Sequence, residues 1–245
     1  MVVGDLQNGY GAMPYLEERT DLIKLFIGDY LDSWIATPAA QVRELQRILN
    51  LIERGEAVAV WGNHDAHYFG PGFIQGSGWN PTTKALVTPM RMAMEKLIRP
   101  FLYHERSRAL FTHAGLTKKL WDRCELDFDS LVPTLHGWSL NYDSPFFNIG
   151  YGRGGFGIGG PLWCDWHTEF EPVPGLTQVV GHTGSFHKKP KVDGDRWGYL
   201  RCKGGNNWNT DCLGRDDSYD FLIFDTSDAS FSGLRVEKNG NIYQS

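Results

Sequence analysis

The feature that most constrains this chain is a series of apolar runs, each stopping at a short polar cluster of Asp, Asn or His. Ala57-Val58-Ala59-Val60-Trp61 runs into Gly62-Asn63-His64-Asp65. Other runs end at Gly4-Asp5, Gly28-Asp29-Tyr30-Leu31-Asp32, Thr112-His113-Ala114-Gly115 and Gly181-His182-Thr183. Short apolar runs bounded by turn residues read as buried strands. Carboxylate, amide and imidazole groups delivered by several strand ends are the donors that one or two divalent metal ions take. A metal-dependent hydrolase is expected.

Taken in order, the clusters resemble the motifs GDxHG, GDxxDRG, GNH(D/E), HAG and GH of the calcineurin-like metallophosphoesterases. The likeness is greater to their phosphoprotein phosphatase and diadenosine tetraphosphatase branch. Gly160-Pro161-Leu162-Trp163 is similar to the LLW stretch between the HAG and GH motifs of that branch. A lone GD or GH dipeptide would say little, because turns are rich in them. The ordered set from Asp5 to His182 is specific, and after His182 the resemblance fades. It implies an α/β fold: a two-sheet β-sandwich flanked by helices, with the metal site at strand ends, as a single domain over residues 1–245.

The same resemblance assigns roles. Asp29 matches the bridging carboxylate, Asp5 a ligand of the first ion, and Asn63, His113 and His182 the remaining ligands of the second. His64 matches the general acid, with Asp32 orienting its imidazole, and the attacking group is a metal-activated hydroxide. Two divalent ions are implied; Mn²⁺ is the expected choice for mixed carboxylate, amide and imidazole donors, with Fe and Zn as alternatives. Gln7 departs from the family, which has a His there on the first metal, and an amide is the weaker ligand. His67 and His187 are the spatial substitutes for it, or else ordinary loop residues or substrate contacts. The family arginine after the second Asp is replaced by Ser33-Trp34, and Leu162-Trp163-Cys164-Asp165 also lacks one. Arg153 is the replacement candidate for binding substrate phosphate, because Arg forms bidentate contacts with such groups.

The expected reaction is hydrolysis of phosphate monoesters, with phosphoserine and phosphothreonine proteins among the substrates. A dinucleoside polyphosphate hydrolase is the alternative enzyme, and a metal-weak interaction module of the same fold the alternative without turnover. A net charge of −5 and the lack of a Lys/Arg run give no general attraction to nucleic acid. No stretch has the apolar length of a membrane span. Four cysteines without CxxC spacing suggest thiols in a reducing, cytoplasmic compartment, although a Cys202–Cys212 pair is an open alternative.

Periodicity places a strand over 22–29, a helix from Thr37-Pro38 to Gly55 and a strand over 57–61. A loop is expected over 69–80, a helix over 85–98, and short strands over 101–103 and 109–113. Residues 133–160 read as irregular and Gly-rich. Val179-Val180, Phe221–Phe224 and Leu234–Val236 supply later strands. Only three residues precede Gly4, so the first strand is short or preceded by residues outside this sequence.

Overall fold

The computed structural model describes residues 1–69, 76–184, 196–197, 200–204, 206–213 and 218–244. The strands are β1 (Val2–Val3), β2 (Lys24–Phe26), β3 (Ala57–Ala59), β4 (Leu102–His104), β5 (Ala109–Phe111), β6 (Thr177–Val180), β7 (Arg196–Trp197), β8 (Leu200–Lys203), β9 (Asn207–Asn209), β10 (Ser218–Asp225), β11 (Ser230–Glu237) and β12 (Ile242–Gln244). The α-helices are α1 (Met13–Glu18), α2 (Pro38–Glu53), α3 (Asn63–Phe69), α4 (Pro81–Val87), α5 (Arg91–Leu97), α6 (Lys118–Arg123) and α7 (Leu131–Ser139).

Among the described residues the strands form two sheets, ordered β12-β11-β10-β1-β2-β3 and β4-β5-β6-β9-β8-β7. Period-two alternation sorts their side chains into three layers. Val3, Phe26 and Phe221 face a core shared with Leu16 of α1 and Leu45, Ile48 and Leu49 of α2. Val2, Ile27 and Leu222 face Ala109, Phe111 and Val179 across the gap between the sheets. Leu110, on the other face of β5, packs with Leu120 of α6 and Leu131 and Leu135 of α7. The result is a helix–sheet–sheet–helix stack, the expected sandwich. Each apolar face is covered by the next layer.

Pairing β1–β2–β3 is parallel, and so is β5–β6–β9. Parallel strands put their carboxyl ends on one edge, so the polar clusters gather there. Helix α2 starts as expected, with Thr37 Oγ1 accepting from Ala40 N at 3.3 Å and Pro38 in the first turn.

Two expected elements differ. The 85–98 helix begins earlier, because Asn80 Oδ1 caps Thr82 N (2.8 Å) and Thr83 N (3.3 Å) ahead of Pro81. It then breaks at a 3₁₀ turn, Thr88–Met90, where Pro89 has no N–H to give. The irregular 133–160 stretch contains the end of α7. Pro133 falls in that helix's first turn, where a missing N–H costs nothing, and Leu131 and Leu135 anchor it to the core. No disulfide joins the four cysteines, so the Cys202–Cys212 pairing is not formed. Among the described residues no helix is long and apolar enough to cross a membrane.

Candidate active site

The loop after β2 is bent to present two carboxylates. Asp29 (φ 55°) and Asp32 (φ 63°) both occupy the left-handed region, which is uncommon for residues with a Cβ. The bend is held from α3. The fully buried Asp65 carboxylate accepts from the backbone N–H groups of Asp29 (2.7 Å), Tyr30 (2.8 Å), Leu31 (3.2 Å) and Gly62 (3.1 Å). Gly62 allows the two loops to meet, since a Cβ there would lie 2.1 Å from Asp29 N. The Asp29 side chain accepts in turn from His64 N at 3.0 Å.

Opposite Asp29, three further donors converge. His113 Nε2 lies 2.7 Å from Asn63 Oδ1, 3.1 Å from His182 Nδ1 and 3.4 Å from Asp29 Oδ1. His182 Nδ1 lies 2.8 Å from Asn63 Oδ1. Ligands about 2.1 Å from a single ion, at near-right angles, are about 3 Å apart, so this spacing fits one divalent cation. His113 Nδ1 meets the Ile27 carbonyl at 2.8 Å, which assigns the proton to that nitrogen and turns Nε2 toward the cluster. His182, also at positive φ (68°), is oriented through its N–H, which donates to both oxygens of Asp5 at 2.9 and 3.0 Å.

Burial lowers the affinity of His113 for a proton, yet the Asp29 and Asp5 carboxylates and the Ile27 carbonyl outweigh it and push its pKa up to about 10. Burial, with charged His113 and Arg153 nearby, keeps His182 neutral. Asp29 is held below the usual carboxylate range: burial opposes this, but the imidazoles of His113 and His64 prevail. The pocket therefore attracts one positive charge even without an ion.

Next to this cluster stand Asp5 and Gln7. Gln7 Nε2 donates to Asp29 Oδ2 at 3.3 Å, and Gln7 N to the Asp29 carbonyl at 2.9 Å. Among the described residues, the buried Gln7 Oε1 has no hydrogen-bond partner. Buried carbonyl oxygens are rarely left orphaned. On a side chain already bonded to Asp29, that oxygen has the donor chemistry of a cation ligand.

His64 extends away from the cluster, its Nδ1 3.0 Å from Asp32 Oδ2. The same oxygen lies 2.8 Å from His67 Nε2, and Tyr68 donates its hydroxyl to Asp32 Oδ1. His67 is thus neither a loop residue nor a ligand substitute for Gln7. Helix α3 begins at Asn63, so positions 64 and 67 share one face and both reach Asp32. His67 Nδ1 accepts from Gly76 N at 3.2 Å, which leaves the ring proton on Nε2, the nitrogen that faces Asp32 Oδ2. Burial raises the Asp32 pKa, but the bonds from His64, His67 and Tyr68 overcome this and hold it below the usual range. For His64, burial opposes protonation while Asp29 and Asp32 favour it, and the pKa is raised. His187 lies outside the described residues.

Arg153 is brought to the same edge. Its guanidinium donates to the His182 carbonyl (3.1 Å) and Thr183 Oγ1 (2.7 Å), and its Nε lies 3.1 Å from Asp165 Oδ2. Asp165 thus fixes an Arg that comes from another segment.

The described geometry unites Asp5, Gln7, Asp29, Asn63, His113 and His182 in one cluster, with Asp32 and His64 to one side and Arg153 to the other. Asp65, Tyr68 and Asp165, none of them expected as site residues, complete it, and His67, expected near Gln7, stands against Asp32 instead. Among solved structures, the chain is similar to the cold-active protein-tyrosine phosphatase of the psychrophile Shewanella sp. The TM-score is 0.60 at 14% identity, over 99% of this chain and 78% of that chain, a likeness of fold. No curated protein matches the chain in sequence. The sequence model of the calcineurin-like phosphoesterases matches residues 1–184, the span that contains every motif from Asp5 to His182. This chain belongs to the calcineurin-like phosphoesterase family, metal-dependent hydrolases of phosphoric esters.

Proposed function

We propose that this protein hydrolyses phosphate monoesters, phosphopeptides foremost, through a two-ion centre and a His64–Asp32 acid pair. The observation that carries this reading is the convergence of Asn63 Oδ1, His113 Nε2 and His182 Nδ1 on Asp29, with His64 next along the chain and held by Asp32. Two divalent ions, Mn²⁺ by preference, would be held by Asp5, Gln7 and Asp29 and by Asp29, Asn63, His113 and His182; when bound they supply Lewis acidity toward phosphoryl oxygens and water.

The protein's own groups do the rest. Asp32 holds Nδ1 of His64, which leaves Nε2 at the far end of the ring to give its proton to the departing oxygen. That donation matters most for serine and threonine esters, whose alkoxides leave poorly. Arg153, fixed by Asp165, Thr183 and the His182 carbonyl through Nε and Nη2, offers its remaining Nη1 donors to the phosphoryl oxygens. The neutral amide of Asn63 limits the negative charge that an incoming phosphate meets.

The test is turnover, before and after chelation and Mn²⁺ addition, of p-nitrophenyl phosphate, diadenosine tetraphosphate and peptides bearing phosphoserine, phosphothreonine or phosphotyrosine. The phosphotyrosine peptide is included because the Shewanella protein of similar fold is a protein-tyrosine phosphatase. Metal-dependent release of phosphate from phosphopeptides is expected. Full activity in metal-free protein would overturn the assignment, and a preference for diadenosine tetraphosphate would overturn the monoester specificity.

A further inference from the structure

Directly after Asp32 the chain comes to the surface. Asp32 is buried, whereas Trp34 is 69% exposed and Ile35 84%, before the chain turns through Thr37 into α2. Looseness is not the cause. Gln41 of α2, itself buried, accepts from Asp32 N at 2.8 Å and donates through Nε2 to the carbonyls of Ser33 (3.3 Å) and Ala36 (2.8 Å). Ser33 Oγ accepts from the N–H groups of Ile35 (3.3 Å) and Ala36 (3.2 Å). The backbone is thus clamped on both sides of Trp34 and Ile35, and the clamp holds two large apolar side chains in water. A lone exposed apolar residue is ordinary, but two fixed neighbours beside a reaction site point to something that covers them.

We propose that Trp34 and Ile35 are specificity-determining residues that receive an apolar side chain of the phosphopeptide substrate. The inference rests on reading the site as a phosphopeptide hydrolase with His64 and Asp32 as its acid pair. Position decides the occupant. The departing oxygen belongs to the peptide and must meet His64, so the peptide lies on the His64–Asp32 side of the cluster, while Arg153 stands on the other. Consecutive Cα atoms are about 3.8 Å apart, so Trp34 and Ile35 begin within about 8 and 11 Å of Asp32. An extended peptide advances about 3.3–3.6 Å per residue, which places the apolar side chain about two or three residues from the phosphorylated one. The loop carries no cation between Asp32 and α2, so it suits an aliphatic or aromatic group and not an acidic one. Because the backbone is already held, little ordering is lost when the peptide docks.

The test measures kcat/KM of the full chain with Mn²⁺ on two phosphoserine peptides. One carries leucine at the second and third positions on both sides of the phosphoserine, and the other carries serine there. Wild type is expected to prefer the leucine peptide about tenfold or more, the size of discrimination that an apolar contact supplies. In Trp34→Ser/Ile35→Ser that ratio should fall to about one, mainly through KM, with each single variant between. The melting temperature of the double variant should match wild type, as exposed substitutions generally do. No leucine preference in wild type, or the same preference in the double variant, overturns the proposal. Equal losses on both peptides, or a lowered melting temperature, also overturn it, in favour of a role in shaping the site or the fold. If wild type turns over neither peptide, the phosphopeptide reading itself falls, and this inference with it.

Discussion

Asp65 fixes Asp29 through its main chain: the Asp29 N–H donates to Asp65 Oδ2 at 2.7 Å, and three more N–H groups of the two loops share the same carboxylate. Removing it strands buried donors. Asp65→Ala should lose about 3 kcal/mol or more of stability, since each unsatisfied buried group costs about 1–3 kcal/mol. Asp65→Asn should cost nearly as much despite its shape, because its amide would point hydrogens at donors. Urea denaturation checks both, and a harmless Asp65→Asn would show that the latch is not electrostatic.

The Asp32 carboxylate should be visible in the pH profile. In the proposed role His64 gives up its proton only while protonated, and its pKa is raised, in part by Asp32, so activity should persist above the usual imidazole range and fall on the alkaline side. Asp32→Asn removes that help. The alkaline limb of kcat should then move to lower pH, measured on a phosphoserine peptide. An unmoved limb would assign it to a group other than His64.

His67 should matter through Asp32 alone. His67→Phe keeps bulk but deletes the contact at Oδ2, and a lost outer partner typically costs about 10-fold. The loss should be larger on alkyl phosphates than on p-nitrophenyl phosphate, whose phenolate leaves with little protonation. Equal losses on both would place His67 in general stability.

Arg153→Lys should spare folding but weaken phosphate binding. Lysine cannot span Thr183, Asp165 and a substrate at once, so KM and the inhibition constant of inorganic phosphate should both rise, by about tenfold, with kcat changing less. An unchanged phosphate inhibition constant would exclude Arg153 from the substrate side.

Mn²⁺ should also raise the melting temperature. Ligands that bind only the folded state stabilise by about 2.7 kcal/mol at one hundred times Kd. Chelation should reverse the rise, and Asp29→Asn should abolish most of it.

Asp29, Asn63, His113 and His182 were readable because each directly follows a buried apolar strand and strand polarity alone brings them together. His67 was singled out, but its place beside Asp32 was not readable, because its spacing from His64 is informative only once Asn63 is known to open a helix. Asp65 stands inside a recognised motif, yet it acts on backbone N–H groups that leave no side-chain signature. Pro133 and Gly137 masked α7 because, taken alone, both read as helix breakers.

The cluster straddles the two sheets. Asp5, Asp29 and Asn63 follow strands of one, His113 and His182 follow strands of the other, and the His113–Ile27 bond crosses between them. These side chains therefore keep their separations only while the layer of Val2, Ile27, Phe111 and Val179 keeps its thickness. The centre is a gauge of inter-sheet spacing. Substitutions in that apolar layer, though they remove no ligand, would retune affinity for the ions, and variants that open or tighten the sandwich by a fraction of an ångström could be ranked by metal titration alone.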